Sequence, residues 1–190
     1  MRIIAGEAKG RRLVGPKSDR VRPTGAKVRE ALFSMIGDLR DTVVVDAFAG
    51  TGALGLEALS RGARLCYFFD PSREAISIIK ENIARVGVED RAKLYRCDFE
   101  RGLKEIVEGT PDLWFFDPPY GTSLAERGLR AMASAPDIVT PGALVVWESS
   151  TSEELFEIEQ FEIAEQREYG TTRLIFFRRL EAADEDADIQ

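Results

Sequence analysis

Glycines and carboxylates in this chain are spaced as a ligand site would need them. Asp46-Ala47-Phe48-Ala49-Gly50-Thr51-Gly52-Ala53-Leu54-Gly55 places Gly50, Gly52 and Gly55 in the pattern GxGxxG. Such glycines let a ligand approach backbone N–H groups closely. Asp70 follows Gly50 by 20 residues, where an acid can accept both hydroxyls of a ribose. A glycine pattern alone is often just a turn; with Asp70 in register it points to a ribonucleoside cofactor. Asp46 precedes the glycines within the same turn. A carboxylate there would repel a pyrophosphate and suit a cationic amine. S-adenosylmethionine has a ribose, an amino group and no phosphate, so charge favours it over a nicotinamide dinucleotide. Asp98 has two readings: acceptor for the adenine amine, or N-cap of a helix starting at Phe99.

Asp117-Pro118-Pro119-Tyr120 is the second motif. Two prolines remove two donors and leave a stiff loop with free carbonyl oxygens. Asp117 adds a carboxylate and Tyr120 an aromatic face. The set suits a planar base bearing an exocyclic amine. Asp117 and the Pro118 carbonyl can accept its two N–H bonds, favouring pyramidalisation as the nitrogen attacks a methyl sulfonium. Tyr120 can stack on the base.

These residues must be positioned by regular elements, and the hydrophobic pattern predicts which. TVVVDAF (42–48) reads as a strand buried on both faces. A helix follows, then strand 64–70, helix 72–86 with Ser72 as N-cap, strand 92–98 and a short helix over 99–108. Strand 112–116 ends at Asp117. Helix 122–134, strand 143–149 and a final strand pair complete the pattern. Such alternation implies a parallel sheet with ligands at the carboxyl ends of its strands. Before it, RIIAG and RRLVG read as two short strands about a turn near Lys9-Gly10. A helix then runs from an N-cap at Thr24 to Gly37.

Composition excludes other chemistries. The chain has 190 residues, no histidine and two cysteines, Cys66 and Cys97. Histidine-dependent triads, His- or Cys-ligated metal sites and a disulfide framework are thereby ruled out. Both cysteines read as packing residues, so cytosine carbon-5 chemistry, which needs a thiol nucleophile, is disfavoured. There is no apolar run of membrane length and no signal-like start, so the expected location is cytoplasmic. The net charge is −7, yet residues 1–40 carry +6 and residues 181–190 carry −5. A basic N-terminal segment set against an acidic body suits docking of a polyanion.

DxFAGxGxLGLEALSRGA at 46–63, DPPY at 117–120 and RPT…VREALF at 22–33 together resemble the bacterial 16S ribosomal RNA guanine-N2 methyltransferases, over roughly residues 1–179. The resemblance implies a Rossmann-like class I methyltransferase: an α/β fold with a seven-stranded, mostly parallel sheet, helices on both faces and the last strand inserted antiparallel. Residues 1–40 would be a basic hairpin-plus-helix extension facing RNA and 41–180 the S-adenosylmethionine-dependent domain. Residues 181–190, dominated by Asp and Glu, are not part of the family pattern and read from composition as an acidic, disordered tail. Asp46, Gly50 and Gly52 would contact the methionine part of the cofactor, Asp70 the ribose and Asp98 the adenine. Phe48, Thr51, Pro71 and Phe99 belong to the same cofactor set. Arg22, Thr24 and Arg29 would close over cofactor or substrate, and Asp117, Pro118, Pro119 and Tyr120 would hold the guanine. Arg2, Lys9, Arg11, Arg12, Lys17, Arg20 and Arg22 would meet RNA phosphates. The expected partner is 16S rRNA in the small subunit or an assembly intermediate, with no metal, no membrane and a monomer as the simplest state. Three other readings compete: a DNA adenine-N6 methyltransferase, an NAD(P)-dependent oxidoreductase and a non-catalytic RNA-binding assembly factor.

Overall fold

The computed structural model describes residues 1–16 and 25–181. Seven strands form one sheet: β1 (Val43–Asp46), β2 (Leu65–Phe69), β3 (Ala92–Tyr95), β4 (Leu113–Phe116), β5 (Leu144–Ser150), β6 (Phe161–Tyr169) and β7 (Thr172–Arg179). Their order is β3-β2-β1-β4-β5-β7-β6. The first five are parallel, and β7 is inserted antiparallel between β5 and β6. The chain winds outward from β1 to β3 and returns to β4. The crevice outside a parallel sheet opens where the winding reverses, here between β1 and β4.

Strands β1, β2 and β4 are buried along their whole lengths, because helices cover both faces. The helices are α1 (Ala26–Ile36), α2 (Ala53–Ser60), α3 (Arg73–Val86), α4 (Phe99–Gly102) and α5 (Leu124–Ala133). Alternate strand residues feed two cores. Val44, Phe68, Phe115 and Val146 pack with Ile3, Leu13, Leu32, Phe33 and α2. Val45, Tyr67, Phe69, Trp114 and Phe116 pack with Phe99, Leu129 and Met132 on the other face. Residues of the 1–40 segment therefore share a core with the sheet. No helix among the described residues is long and apolar enough to cross a membrane.

Three local expectations need correction. The helix expected over 99–108 is one α-turn, α4, followed by a single 3-10 turn at Leu103–Glu105. Helix α1 starts at Ala26 after Gly25, which offers no side-chain cap; the expected cap, Thr24, lies outside the described residues. The two N-terminal strands reduce to one antiparallel bridge, Arg2 with Arg12. Ile3 still exchanges backbone hydrogen bonds with Arg11 and Gly10 at 3.0 and 2.9 Å, and beyond it the backbone is bound to α2 instead. Ile4 and Ala5 N–H donate to the buried Glu57 carboxylate at 2.7 and 3.0 Å. Glu7 N–H donates to the Ser60 carbonyl at 2.8 Å, and Ala8 N–H to Ser60 Oγ at 3.0 Å.

That clamp requires a glycine. Gly6 has φ +82°, and a Cβ there would sit 1.7 Å from the Ser60 carbonyl oxygen. Gly6→Ala should therefore lower stability by about 3 kcal/mol or more, read as a fall in the denaturant midpoint. An unchanged midpoint would show that the N-terminal segment is not docked on α2.

Candidate active site

The glycine turn leaves β1 and enters α2 as the spacing predicts. Gly50 and Gly52 have φ values of 54° and 76°. Gly55 is needed for close approach, since a Cβ would lie 2.4 Å from Phe68 Cε1 and 2.6 Å from Cys66 Sγ. Asp46 ends β1, is 2% exposed, and its Oδ2 accepts from Gly55 N–H at 3.0 Å. Its carboxyl is pushed up to about 7, by burial above all, with the Gly55 hydrogen bond opposing and Asp70 adding to the rise. Asp70 follows β2 and holds the loop backbone, accepting from Gly50 N–H at 2.9 Å and Ser72 N–H at 2.8 Å. Burial raises its carboxyl as well. Two carboxylates brought together under partial burial favour a cation between them.

The other members of the expected cofactor set divide by position. Thr51 is buried, and its carbonyl accepts from Asn82 Nδ2 at 2.9 Å. Pro71 and Asp98 are exposed. Asp98 is the N-cap of α4, with Oδ1 accepting from Arg101 N–H at 3.0 Å. Phe99 is buried, its ring 4.8 Å from that of Phe116 and 6.0 Å from that of Trp114. Phe48 stacks edge-on to Phe116 at 5.5 Å. The two phenylalanine rings thus form part of the apolar floor under the strand ends.

Asp117 to Tyr120 follow β4 directly, across the switch point from the glycine turn. Pro118 is buried while Pro119 and Tyr120 are exposed. Tyr120, 48% exposed, keeps a ring face open while its hydroxyl donates to Glu148 Oε1 at 3.3 Å. Burial first, and the Glu148 carboxylate second, push that phenol up to about 12. It is a donor at neutral pH.

Arg29 is buried, and its Nη2 donates to the Arg2 carbonyl at 2.6 Å. Among the described residues its Nε and Nη1 have no hydrogen-bond partner, and burial lowers its pKa while Glu57 raises it. Among the described residues no hydrogen bond joins Arg29 to Asp46, Asp70 or Asp117; its contact runs to the N-terminal segment. Arg2, Lys9, Arg11 and Arg12 are exposed along that segment. Arg11 also holds the C-terminus of α3, donating from Nη1 to the Arg85 carbonyl at 3.1 Å and to the Val86 carbonyl. Arg22, Thr24, Lys17 and Arg20 lie outside the described residues.

Sequence reasoning missed three buried polar groups. Asn82 bonds both polar groups of Val14, accepting at 2.7 Å and donating at 3.0 Å, and so ties the N-terminal segment to the glycine turn through Thr51. Glu57 anchors residues 4 and 5. Glu148 ends the apolar run of β5 and is buried there. A polar residue in an otherwise apolar stretch was the available signal for Glu57 in α2; Asn82 and Glu148 carry none until their spatial neighbours are seen.

The sheet order, the acidic glycine turn after β1 and the DPPY loop after β4 define a Rossmann-like class I methyltransferase. Residues 1–178 match the family described as conserved hypothetical protein 95, and the chain belongs to that family. It is 34% identical over 186 residues to the Bacillus subtilis protein YlbH, covering 94% of this chain and 99% of the relative. It is 30% identical to the Haemophilus influenzae ribosomal RNA small subunit methyltransferase D, covering 94% and 92% of the two chains. The solved structure of Escherichia coli yhhF superposes with a TM-score of 0.80 at 30% identity, covering 95% and 98%.

Proposed function

We propose that the protein transfers a methyl group from S-adenosylmethionine to the N2 amine of a guanine in 16S ribosomal RNA. The observation that carries this reading is the juxtaposition of the acidic glycine turn with Asp117-Pro118-Pro119-Tyr120 at the switch point between β1 and β4. The name of the Haemophilus relative supports the RNA substrate. In this reading residues 1–40 are the RNA-facing extension, 41–180 the transferase domain and 181–190 an appended acidic tail. The protein acts as a monomer in the cytoplasm, on the small subunit or an assembly intermediate.

The residues fit the cofactor by charge. Asp46, buried and raised toward neutrality, gains from a neighbouring ammonium. A pyrophosphate would meet two carboxylates in the same place. Asp46 with Gly50, Thr51 and Gly52 would hold the methionine part, Asp70 with Pro71 the ribose, and Asp98 with Phe99 the adenine end. Phe48 would supply apolar floor. Thr24 and Arg29 would close the site, Arg29 acting through the N-terminal segment it holds. When bound, S-adenosylmethionine supplies the methyl on a sulfonium. Asp117 and the Pro118 carbonyl accept the two N–H bonds of the target amine and turn its lone pair outward. Pro119 stiffens the loop, Tyr120 stacks on the base, and Asp117 is placed to take the proton that N2 sheds. The base must leave its stack to reach this loop.

Methyl transfer from labelled S-adenosylmethionine to unmodified small subunits, to naked 16S RNA and to duplex DNA, followed by nucleoside mass spectrometry, tests the reading. N2-methylguanosine at one site is expected. Label appearing only as N6-methyladenosine in DNA, or no turnover at all, would overturn it.

RNA contact is assigned to Arg2, Lys9, Arg11 and Arg12, with Lys17, Arg20 and Arg22 from the same segment. Arg11 also serves α3, so Arg12 is the cleaner probe. Arg12→Glu should weaken RNA binding severalfold and lower the salt slope by about one unit, measured by filter binding between low and moderate salt. Unchanged affinity and slope would move the basic face elsewhere.

A further inference from the structure

Glu148 has no role in the family motifs, yet it stands beside the reacting loop. It lies in β5, between Trp147 and Ser149, and is 6% exposed. Charged residues are rarely buried to that extent unless they are paired, and the Tyr120 hydroxyl is one of its partners. Strand register gives its position. Phe116 of β4 pairs with Trp147 of β5, so the next residues, Asp117 and Glu148, are level at the carboxyl ends of neighbouring strands. Along β5, Glu148 shares a side with Val146, whose side chain packs in the same core as Val44 of β1. Glu148 and Asp46 therefore face the same side of the sheet. Tyr120 then folds back, its hydroxyl donating to Glu148 Oε1 at 3.3 Å. That bond orients the carboxylate, and the phenol remains protonated to keep it.

The chemistry of the base says what a second carboxylate beside Asp117 can do. The edge of guanine presents N1–H next to the N2 amine, two adjacent donors. Adenine presents an unprotonated N1 lone pair in that place. We propose that Glu148 is a guanine-selecting residue, whose carboxylate accepts the N1–H of the base while Asp117 and the Pro118 carbonyl hold the amine. The proposal rests on the reading that guanine N2 is the methyl acceptor. A site built to receive a donor rejects an analogue lacking it far more strongly than it rejects a change of shape. A carboxylate facing a lone pair adds repulsion. DPPY alone serves amines on either purine; Glu148 would make the loop specific.

The test uses small subunits reconstituted on ligated 16S RNA that carries guanine, 2-aminopurine or 1-deazaguanine at the methylated position. 2-Aminopurine keeps the C2 amine but lacks N1–H; 1-deazaguanine keeps the amine and the oxygen at C6 and has C–H in place of N1–H, the displaced proton resting on O6 or N3. Native protein should methylate guanine at least tenfold faster, in kcat/KM, than either analogue. Glu148→Gln should lose rate on guanine and gain it on 2-aminopurine, because its amide can donate to N1. The guanine preference over 2-aminopurine should fall about tenfold or more, with S-adenosylhomocysteine affinity retained. Equal losses on both bases, at an unchanged ratio, would reduce Glu148 to a structural residue and overturn the proposal. If the variant fails to fold, native protein on 1-deazaguanine still decides: a rate equal to that on guanine overturns it. Failure of native protein to label guanine subunits at all is a separate outcome, which removes the N2 reading and the selection argument with it.

Discussion

Asp117→Ala should bind S-adenosylhomocysteine almost as tightly as the native protein and transfer methyl groups about a thousandfold more slowly. The two effects separate because the elements separate. The backbone at Asp117 is held by β4, buried along its length, and by the buried ring of Pro118. Removing the side chain leaves both in place. The residues assigned to the methionine, ribose and adenine parts of the cofactor lie at or after the ends of β1, β2 and β3, whereas Asp117 follows β4. What the variant loses is the acceptor that draws the amine's N–H bonds away from the incoming methyl. Asp117→Asn keeps an acceptor oxygen without the charge and should fall between the two. Single-turnover rates on small subunits, with cofactor affinity from calorimetry, measure both quantities. A rate within tenfold of native would remove Asp117 from the chemistry, and a matching loss of cofactor affinity would place it in the cofactor site.

The parts of this molecule legible in its sequence are those fixed by near neighbours in the chain. Val43 to Val45 is a β-branched run, and it is β1, buried on both faces. Ser72 caps α3 by accepting from Ala75 N–H at 3.3 Å, three residues away. Gly37 stops α1 because its positive φ suits the turn out of a helix. Asp46, Gly50 and Asp70 come together because the strand–helix–strand unit brings consecutive strand ends side by side. The misread parts depend on partners far along the chain. RIIAG has the composition of a strand, but only Ile3 N–H meets the facing segment, at the Arg11 carbonyl; the Ile4 and Ala5 N–H groups are taken by Glu57, more than fifty residues on. That competition leaves no mark on the pattern of residues 2–14. Asn82 reads as an ordinary helix residue until Val14 is seen against it. Glu148 gains meaning only from the register that sets it beside Asp117. The short α4 has a similar origin: Asp98 marks its start, and nothing local to 99–108 requires the helix to end after Gly102.

Cofactor affinity should fall as the solution is acidified, by about tenfold per pH unit below pH 7 and so roughly a hundredfold between pH 8 and pH 5. The cause is Asp46. Burial raises its carboxyl to about 7, with Asp70 adding to the rise and the Gly55 N–H opposing it. An ammonium attracts the ionised form, so below that pKa each binding event must expel a proton. The amino and carboxyl groups of S-adenosylhomocysteine hold one charge state across this range, which leaves the slope to the protein. Stability of the cofactor-free protein runs the opposite way. The folded pKa of Asp46 lies above the unfolded value, so the unfolded chain ionises first as pH rises. The stability that the protonated carboxyl favours is fully present below about pH 4 and is lost as pH rises toward 7. Bound cofactor offsets that loss. The rise in melting temperature given by saturating S-adenosylhomocysteine should therefore grow from pH 5 to pH 8. Asp46→Asn should weaken binding at pH 8 and flatten the slope, because no proton is left to expel. A slope that survives in Asp46→Asn and disappears in Asp70→Asn would assign the titration to Asp70, whose carboxyl is also raised by burial. The cation would then be held from the β2 side of the turn, with Asp46 retained as the acceptor that fixes Gly55 and the start of α2.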